Sequence, residues 1–139
     1  MKRVKYMSKF AKSFTTKEIE DLAVQSAKHN KENDITGVLM ASGDLFFQII
    51  EGPDDKIDQL VERIVNDTRH KEVIILNNLS GDFSRLFPDW SMRQIILTEE
   101  VSIENNALKA IMETLFIQQR LTENLTQMLE RSVWQQLAR

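Results

Sequence analysis

The period of the apolar positions changes several times along the chain, and each change predicts a new element. Two short apolar runs, residues 35–41 and 45–50, flank the turn residues 42–44 with the sequence SGD. Gly and Asp tolerate a tight-turn backbone, so this stretch predicts a β-hairpin. Weak alternation over residues 3–8 predicts an earlier strand, because strand side chains repeat every second residue. Two later strands are predicted at residues 73–76 and 90–97.

Two helical patterns alternate with these strands. Thr15 and Glu18 have the spacing of a capping box, and an apolar stripe of helical period then continues to about Lys31. A second helix is predicted after Pro53, where a proline and two acidic residues suit a first turn, and it ends at residues 67–70. One crossover helix after the first strand and one after the third predict a ferredoxin-like βαββαββ mixed sheet with two helices on one face, in the α+β class.

Residues 103–139 differ from the rest because they contain neither Gly nor Pro and repeat apolar residues at helical spacing. This pattern predicts two helices or one bent helix as a C-terminal extension. Such helices either cap the open face of the sheet or pair with another chain. The predicted organisation is therefore a domain over residues 1–98, followed by residues 99–139 for capping or dimerisation.

Composition narrows the classes of function. With 42% hydrophobic residues, 28% charged residues and a net charge of −3, the chain has the composition of an ordinary globular protein and lacks the basic excess of a nucleic-acid-binding protein. It contains no cysteine and only two histidines, which argues against thiol chemistry and metal sites. No apolar run reaches about 18 residues and no signal peptide precedes the first strand, so we expect a cytoplasmic protein with no membrane partner.

Gln48 is the main anomaly of the pattern, since it stands between two apolar residues on either side in FFQII. A buried carboxamide without partners costs about 1–3 kcal/mol. We therefore expect a partner for it, and a bound cofactor would supply one. Tyr6 falls on the inward face of the first strand, where the usual reading is a core tyrosine with its hydroxyl tied to a neighbour.

Four other polar residues each allow two interpretations. Ser26 and Asn30 occupy the apolar stripe of the first helix, either because the helix frays or is capped there, or because the stripe faces a polar ligand. Arg69 and His70 follow the second helix, where they either complement the negative end of the helix dipole or bind a phosphate.

Together, these residues resemble a known family, the BLUF domains, which sense blue light using FAD. The resemblance covers residues 1 to about 98 and rests on the following residues and stretches: Tyr6, Asn30, Ile35-Thr36-Gly37, Phe47-Gln48, Glu51-Gly52, Asp67-Thr68-Arg69-His70 and Phe87-Pro88-Asp89-Trp90-Ser91-Met92. The SKF that follows Tyr6 by one residue, the LFPDWSM stretch and the helical tail are similar to the sensor portion of bacterial photoactivated adenylate cyclases.

The resemblance implies a blue-light photoreceptor that is not itself an enzyme. FAD would be bound without a covalent link, with FMN as the alternative flavin. Tyr6 and Gln48 would carry out the photochemistry, and Trp90 and Met92, facing the same side of the last strand, would relay the signal. The resemblance assigns flavin binding to Tyr6, Ser26, His29, Asn30, Gln48, Arg69 and His70.

The partners implied are a second copy of the chain, paired through the C-terminal helices, and an effector. The effector is expected outside these 139 residues, either as a nucleotide cyclase domain or, for a short stand-alone sensor, as a separate protein. A flavin-dependent oxidoreductase would need a nicotinamide site, which nothing in the sequence resembles. A hydrolase of the acylphosphatase type would need a phosphate-binding loop after the first strand, and residues 9–13 contain no glycine.

Overall fold

The computed structural model describes residues 1–97 and 103–138, so the boundary expected between residues 98 and 99 lies outside the described residues. The elements, in chain order, are β1 (Lys2–Phe10), α1 (Thr16–Glu32), β2 (Thr36–Ser42), β3 (Leu45–Gly52), α2 (Asp54–Val65), β4 (His70–Ser80), β5 (Arg93–Ile96) and α3 (Ile103–Leu137). No helix among these residues is both long enough and apolar enough to span a bilayer.

The strands form one mixed sheet in the order β4-β1-β3-β2-β5. All neighbours are antiparallel except β2 and β5, which are parallel. The predicted ferredoxin-like arrangement with an added strand is confirmed. The hairpin turn is also as predicted, with Gly43 at a φ of +64° between β2 and β3, in the left-handed region that glycine adopts at low cost.

Helices α1 and α2 lie on the same face of the sheet. The predicted capping box begins α1: the Thr15 hydroxyl accepts from the Glu18 amide, and the Glu18 carboxylate accepts from the Thr15 amide. Ile19 of α1 packs into a cluster with Phe10 and Phe46, while Ile57 of α2 packs into a second cluster with neighbouring sheet residues. The two helices therefore rest on separate halves of the sheet.

Helix α3 is a single helix of 35 residues that lies on the opposite face of the sheet. Its Met112 and Phe116 are buried in a third cluster with Met7, Leu45 and Leu97. Beyond Phe116 the apolar stripe continues, but its members are at least half exposed: Leu121, Leu125, Leu129, Val133 and Leu137. The first part of α3 thus completes the core, whereas the rest presents an unpartnered apolar stripe.

Two predicted strands have different lengths in the structure. Strand β4 runs over His70–Ser80 where only residues 73–76 were predicted, because its second half is polar and exposed at the sheet edge while its backbone still pairs with β1. Strand β5 covers only Arg93–Ile96 of the predicted residues 90–97. Trp90 and Met92 precede it, so the strand alternation that would have put them on one side does not apply.

Candidate functional site

A cleft of about 210 Å³ lies over the sheet between α1 and α2. Strands β1 and β3 form its floor, and the segment between α2 and β4 closes one end. The structure brings seven of the predicted site residues to its walls: Tyr6, Ser26, His29, Asn30, Gln48, Arg69 and His70.

Tyr6 and Gln48 are both buried and are direct cross-strand partners of β1 and β3. The Tyr6 hydroxyl donates a hydrogen bond to the Gln48 side-chain oxygen. The Gln48 Nε2 in turn donates to the sulfur of Met92 at 3.6 Å. Burial raises the pKa of the Tyr6 phenol, and the negative charge of Asp67 raises it further, so the phenol is held in its protonated form.

Asn30 is buried, and its side-chain Nδ2 donates to the main-chain oxygen of Ser91 at 2.7 Å. The C-cap of α1 is Asn33, three residues later, so the alternative reading of Asn30 as the helix cap is wrong. Asn30 instead ties α1 to the segment before β5 at the wall of the cleft.

Charged groups line the end of the cleft near β4. Arg69 pairs with Asp67 at 2.6 Å, and chiefly this hydrogen bond lowers the pKa of Asp67 to about 2. His70 packs against the ring of Phe10, with 4.4 Å between ring centroids, and its Nδ1 is buried without a hydrogen-bond partner. Burial lowers the pKa of His70, which favours the neutral imidazole.

The walls of the cleft fit a flavin. An apolar surface suited to a planar ring comes from Leu22, Leu39, Phe46, Leu60 and Ile64. The carboxamides of Asn30 and Gln48 can bond the polar edge of such a ring, since each amide has two donors and two acceptor lone pairs. Arg69 supplies a cation for a phosphate, and the unpartnered His70 Nδ1 is a buried polar atom for which a ligand would provide a partner.

Arg63 also lines the cleft, although no sequence motif pointed to it, and so does Asp67, which belongs to the 67–70 stretch of the family resemblance. Arg63 of α2 contacts the His29 Nε2 of α1, so the two side chains bridge the helices across the cleft. Arg63 follows Leu60 by three residues and precedes Ile64 by one, so the helical spacing of α2 places it on the face that lines the cleft.

Trp90 lies away from the cleft. It is 39% exposed and stacks on Phe87 with 5.9 Å between ring centroids, while the Arg93 guanidinium lies 4.9 Å from the centre of its ring. Trp90 and Met92 therefore lie in different surroundings: Met92 contacts Gln48, whereas Trp90 contacts Phe87 and Arg93. Among residues 1–97 and 103–138, no cluster of His, Asp and Glu could hold a metal ion.

Comparison with known proteins agrees with this geometry. The profile of the family described as sensors of blue light using FAD matches residues 1–93. The photoactivated adenylate cyclase subunit beta of Euglena longa is 33% identical over 95 residues, which are 67% of this chain and 11% of that protein. The chain thus spans about a tenth of the length of this curated relative.

Two solved structures are also similar. A bacterial light-regulated adenylyl cyclase superposes with a TM-score of 0.77 at 35% identity, covering 89% of this chain and 36% of the other. BlrB, described as a BLUF protein in its dark state, superposes with a TM-score of 0.62 at 33% identity, covering 68% of this chain and 71% of BlrB.

Proposed function

The chain belongs to the BLUF family of blue-light sensors that use FAD, and from this premise we propose that light acts through Tyr6, Gln48 and Met92 in turn. The observation that carries the proposal is the continuous contact of these three side chains, which begins with Tyr6 and Gln48 at the floor of the cleft and ends at Met92. It links a phenol, a carboxamide and the residue that precedes β5.

The flavin is held without a covalent bond, and we propose FAD as the flavin. Ser26, His29 and Asn30 bind from α1, and Arg69 and His70 bind the phosphate-bearing arm. When bound, FAD supplies the absorption of blue light and, once excited, an acceptor for one electron. The apolar walls exclude water from the ring, and this strengthens every hydrogen bond around it.

Tyr6 is the donor of the electron and the proton. Its raised pKa means that the phenol does not ionise beforehand, so loss of an electron and loss of the proton are coupled. The proton has a path already formed, because the hydroxyl donates to the Gln48 oxygen. The proton passes through the Gln48 amide, which takes a different hydrogen-bonding form by rotation or by tautomerisation. Return of the electron and the proton to Tyr6 then restores the phenol.

A rotated Gln48 cannot keep its contact with Met92. In the structure an N–H donor faces the sulfur, which is a weak acceptor. If the amide rotates, an oxygen with no proton to donate faces that sulfur and the attraction is lost. Met92 then shifts, and because Arg93 follows it directly, the shift reaches β5 and the elements beyond.

The output leaves through α3. We propose that residues 1–98 are the sensor and that residues 99–139 cap the sheet, pair with a second copy and carry the signal. The exposed apolar stripe from Leu121 to Leu137 supports a homodimer, since such a stripe is buried when two helices pair. Light would change this pairing.

The effector that the signal reaches is a nucleotide cyclase domain, as in the relatives that combine light sensing with adenylate cyclase activity. The second candidate is a short sensor acting on a separate protein, and the match to 71% of BlrB, described as a BLUF protein, supports it. In either case the described sensor has no enzymatic role, and a cytoplasmic location stays a prediction.

An absorption experiment tests the proposed function. Purified protein reconstituted with FAD should be yellow and show a small red shift under blue light that reverses in the dark. Protein that binds no FAD would contradict the proposal. A flavin-dependent oxidoreductase would be recognised instead by reduction of its flavin with a nicotinamide donor in the dark.

A further inference from the structure

Glu51 is a fully buried carboxylate that the cleft does not use. It lies on β3 three residues after Gln48, so its side chain emerges on the opposite face of the sheet. Its Oε1 accepts from the Arg3 Nε at 2.6 Å and from the Leu86 amide at 2.9 Å. Its Oε2 accepts from the Phe87 amide at 3.1 Å.

Segment 81–92, between β4 and β5, is thereby tied at its middle to the strand that carries Gln48. Arg3 reinforces this attachment, because its guanidinium also donates to the Ser84 main-chain oxygen at 3.1 Å and lies 4.5 Å from the centre of the Phe83 ring. Arg85 fixes the same stretch to the start of β2, donating to the Thr36 hydroxyl at 2.9 Å.

The far end of segment 81–92 is attached on the cleft side. The Gly37 amide donates to the Trp90 main-chain oxygen at 2.9 Å, and the Asn30 side chain holds the Ser91 oxygen. Met92 then meets Gln48. Glu51 therefore holds segment 81–92 at residues 86 and 87, and Met92 joins its end to Gln48 of the cleft.

We propose that Glu51 is a positioning residue for the light response: it fixes segment 81–92 so that a movement of Met92 is passed on to β5 and α3. This inference rests on the proposed function. If residues 86 and 87 were not anchored, the segment could absorb the displacement of Met92 by its own rearrangement. A carboxylate suits this anchor because its two oxygens accept all three donors at once.

The burial of this ion pair supports a specific role. The neighbouring strand residue Lys2 pairs with Asp58 at the surface, where such a pair contributes little. A buried carboxylate is costly to desolvate, and apolar residues often replace such pairs without loss of stability. The presence of a buried charge at Glu51 therefore agrees with a requirement that segment 81–92 be held in one position.

The test is Glu51→Gln in the full chain, reconstituted with FAD. Asp58→Asn is the matched control, because it removes the exposed carboxylate that pairs with Lys2, the residue before Arg3 on β1. Two readouts are taken in the dark and under blue light: the flavin red shift and the hydrogen exchange of α3 amides. We expect Glu51→Gln to keep the red shift and to lose the light-dependent change in α3 exchange. Asp58→Asn should keep both.

A second pair of variants tests a single hydrogen bond to Glu51, the one that the Leu86 amide donates. Leu86 is 52% exposed, so Leu86→Ala removes little packing and keeps the amide, whereas Leu86→Pro deletes the N–H that Glu51 accepts. Leu86→Pro should lose the α3 response and Leu86→Ala should keep it. This pair decides the matter if Glu51→Gln does not fold.

Three results would overturn the inference. One is a normal α3 response in Glu51→Gln or Leu86→Pro. Another is loss of the red shift in Glu51→Gln with flavin still bound, since Glu51 would then act on the photochemistry. The third is a wild-type chain whose α3 does not respond although the red shift is present. Failure of the proposed function is distinguishable, because the wild-type chain would then show no red shift at all.

Discussion

The Gln48 side-chain nitrogen lies 3.6 Å from the sulfur of Met92, although 44 residues separate them in sequence. This contact joins the floor of the cleft to the segment that leads into β5. Trp90, two residues earlier, stacks on Phe87 at the surface and has no part in it. In the proposed function, Met92 is therefore the side chain through which a change at Gln48 would first be passed on.

Met92→Leu should separate photochemistry from output. Leucine keeps most of the volume, so we expect a loss of stability below about 1.5 kcal/mol. It has no sulfur to accept from Gln48, so the red shift should persist while the light-dependent exchange of α3 amides falls. Met128→Leu on the exposed part of α3 is the control, and an unchanged α3 response in Met92→Leu would refute the relay.

Tyr6→Phe should leave the protein yellow and abolish the light-induced red shift, because the ring remains but the donor hydroxyl is gone. Gln48→Leu and Gln48→Glu should behave in the same way, since neither side chain has both a donor and an acceptor end when the carboxylate is ionised. Difference absorption spectra under blue light provide the measurement. A full red shift in Tyr6→Phe would show that another residue is the electron donor.

Stability should depend on pH through His70. Burial lowers the pKa of His70 below its ordinary value of about 6.5, so the unfolded chain binds the proton first as the pH falls. The contribution to stability is complete above about pH 7 and decreases as the pH falls through the lowered pKa. Because His70→Gln cannot titrate, it should show a smaller fall in the urea midpoint between pH 7.5 and 5.5.

Asp67 does not contribute to the change in stability expected between pH 7.5 and 5.5. Its pKa is lowered to about 2, so the carboxylate stays ionised in the folded chain throughout the range, and its own contribution is lost only in stronger acid. The measurement is made on flavin-free protein, so that binding of the ligand adds nothing to the midpoint. A variant as sensitive to pH as the wild type would contradict the role given to His70.

Gly37→Ala should destabilise the fold. A Cβ at this position would lie 2.2 Å from the main-chain oxygen of Ile49, which cannot move without breaking the β2–β3 ladder. Overpacking of this kind costs about 1–3 kcal/mol or more in the free energy of unfolding.

Gly43→Asn in the hairpin turn is the comparison, because asparagine tolerates a positive φ, and it should cost less than about 1 kcal/mol. Urea titration of both variants measures the difference, and equal costs would argue against the crowding at Gly37.

The proposed dimer can be tested without disturbing the core. Met112 and Phe116 belong to the core, so removal of all of α3 would expose the sheet, whereas Leu125→Glu and Leu129→Glu affect only the exposed stripe. This double variant should lower the mass measured by light scattering from dimer to monomer and leave flavin absorption unchanged. Gln127→Glu adds a charge on another side of the helix and should stay dimeric. A double variant that remains dimeric would refute pairing through the stripe.

The sequence alone identifies the site residues whose polarity conflicts with the apolar pattern immediately around them. Gln48 stands out because a carboxamide interrupts an apolar strand, and Asn30 because it interrupts an apolar helix stripe. Tyr6 has no such signal: an inward tyrosine is common, and its pairing with Gln48 depends on the register of β1 and β3. In the sequence, only the family resemblance assigns Tyr6 a role.

Other features depend on contacts that a single sequence does not reveal. The polar half of β4 forms a strand because β1 offers partners for its backbone, not because its side chains alternate. Glu51 is buried because residues some 35 positions later fold over it. The separation of Trp90 from Met92 likewise follows from where β5 begins, which the apolar pattern of residues 90–97 does not indicate.

The length of α3 has a mechanical consequence. At 1.5 Å per residue, its 35 residues extend over about 52 Å, and the sheet supports only the end near Met112 and Phe116. Such a helix acts as a lever: the 21 residues after Phe116 extend about 32 Å beyond the support, so a tilt of about 5° there would move the far tip by roughly 3 Å. A sub-ångström adjustment beside a chromophore could in this way become a displacement large enough for a distant domain to register.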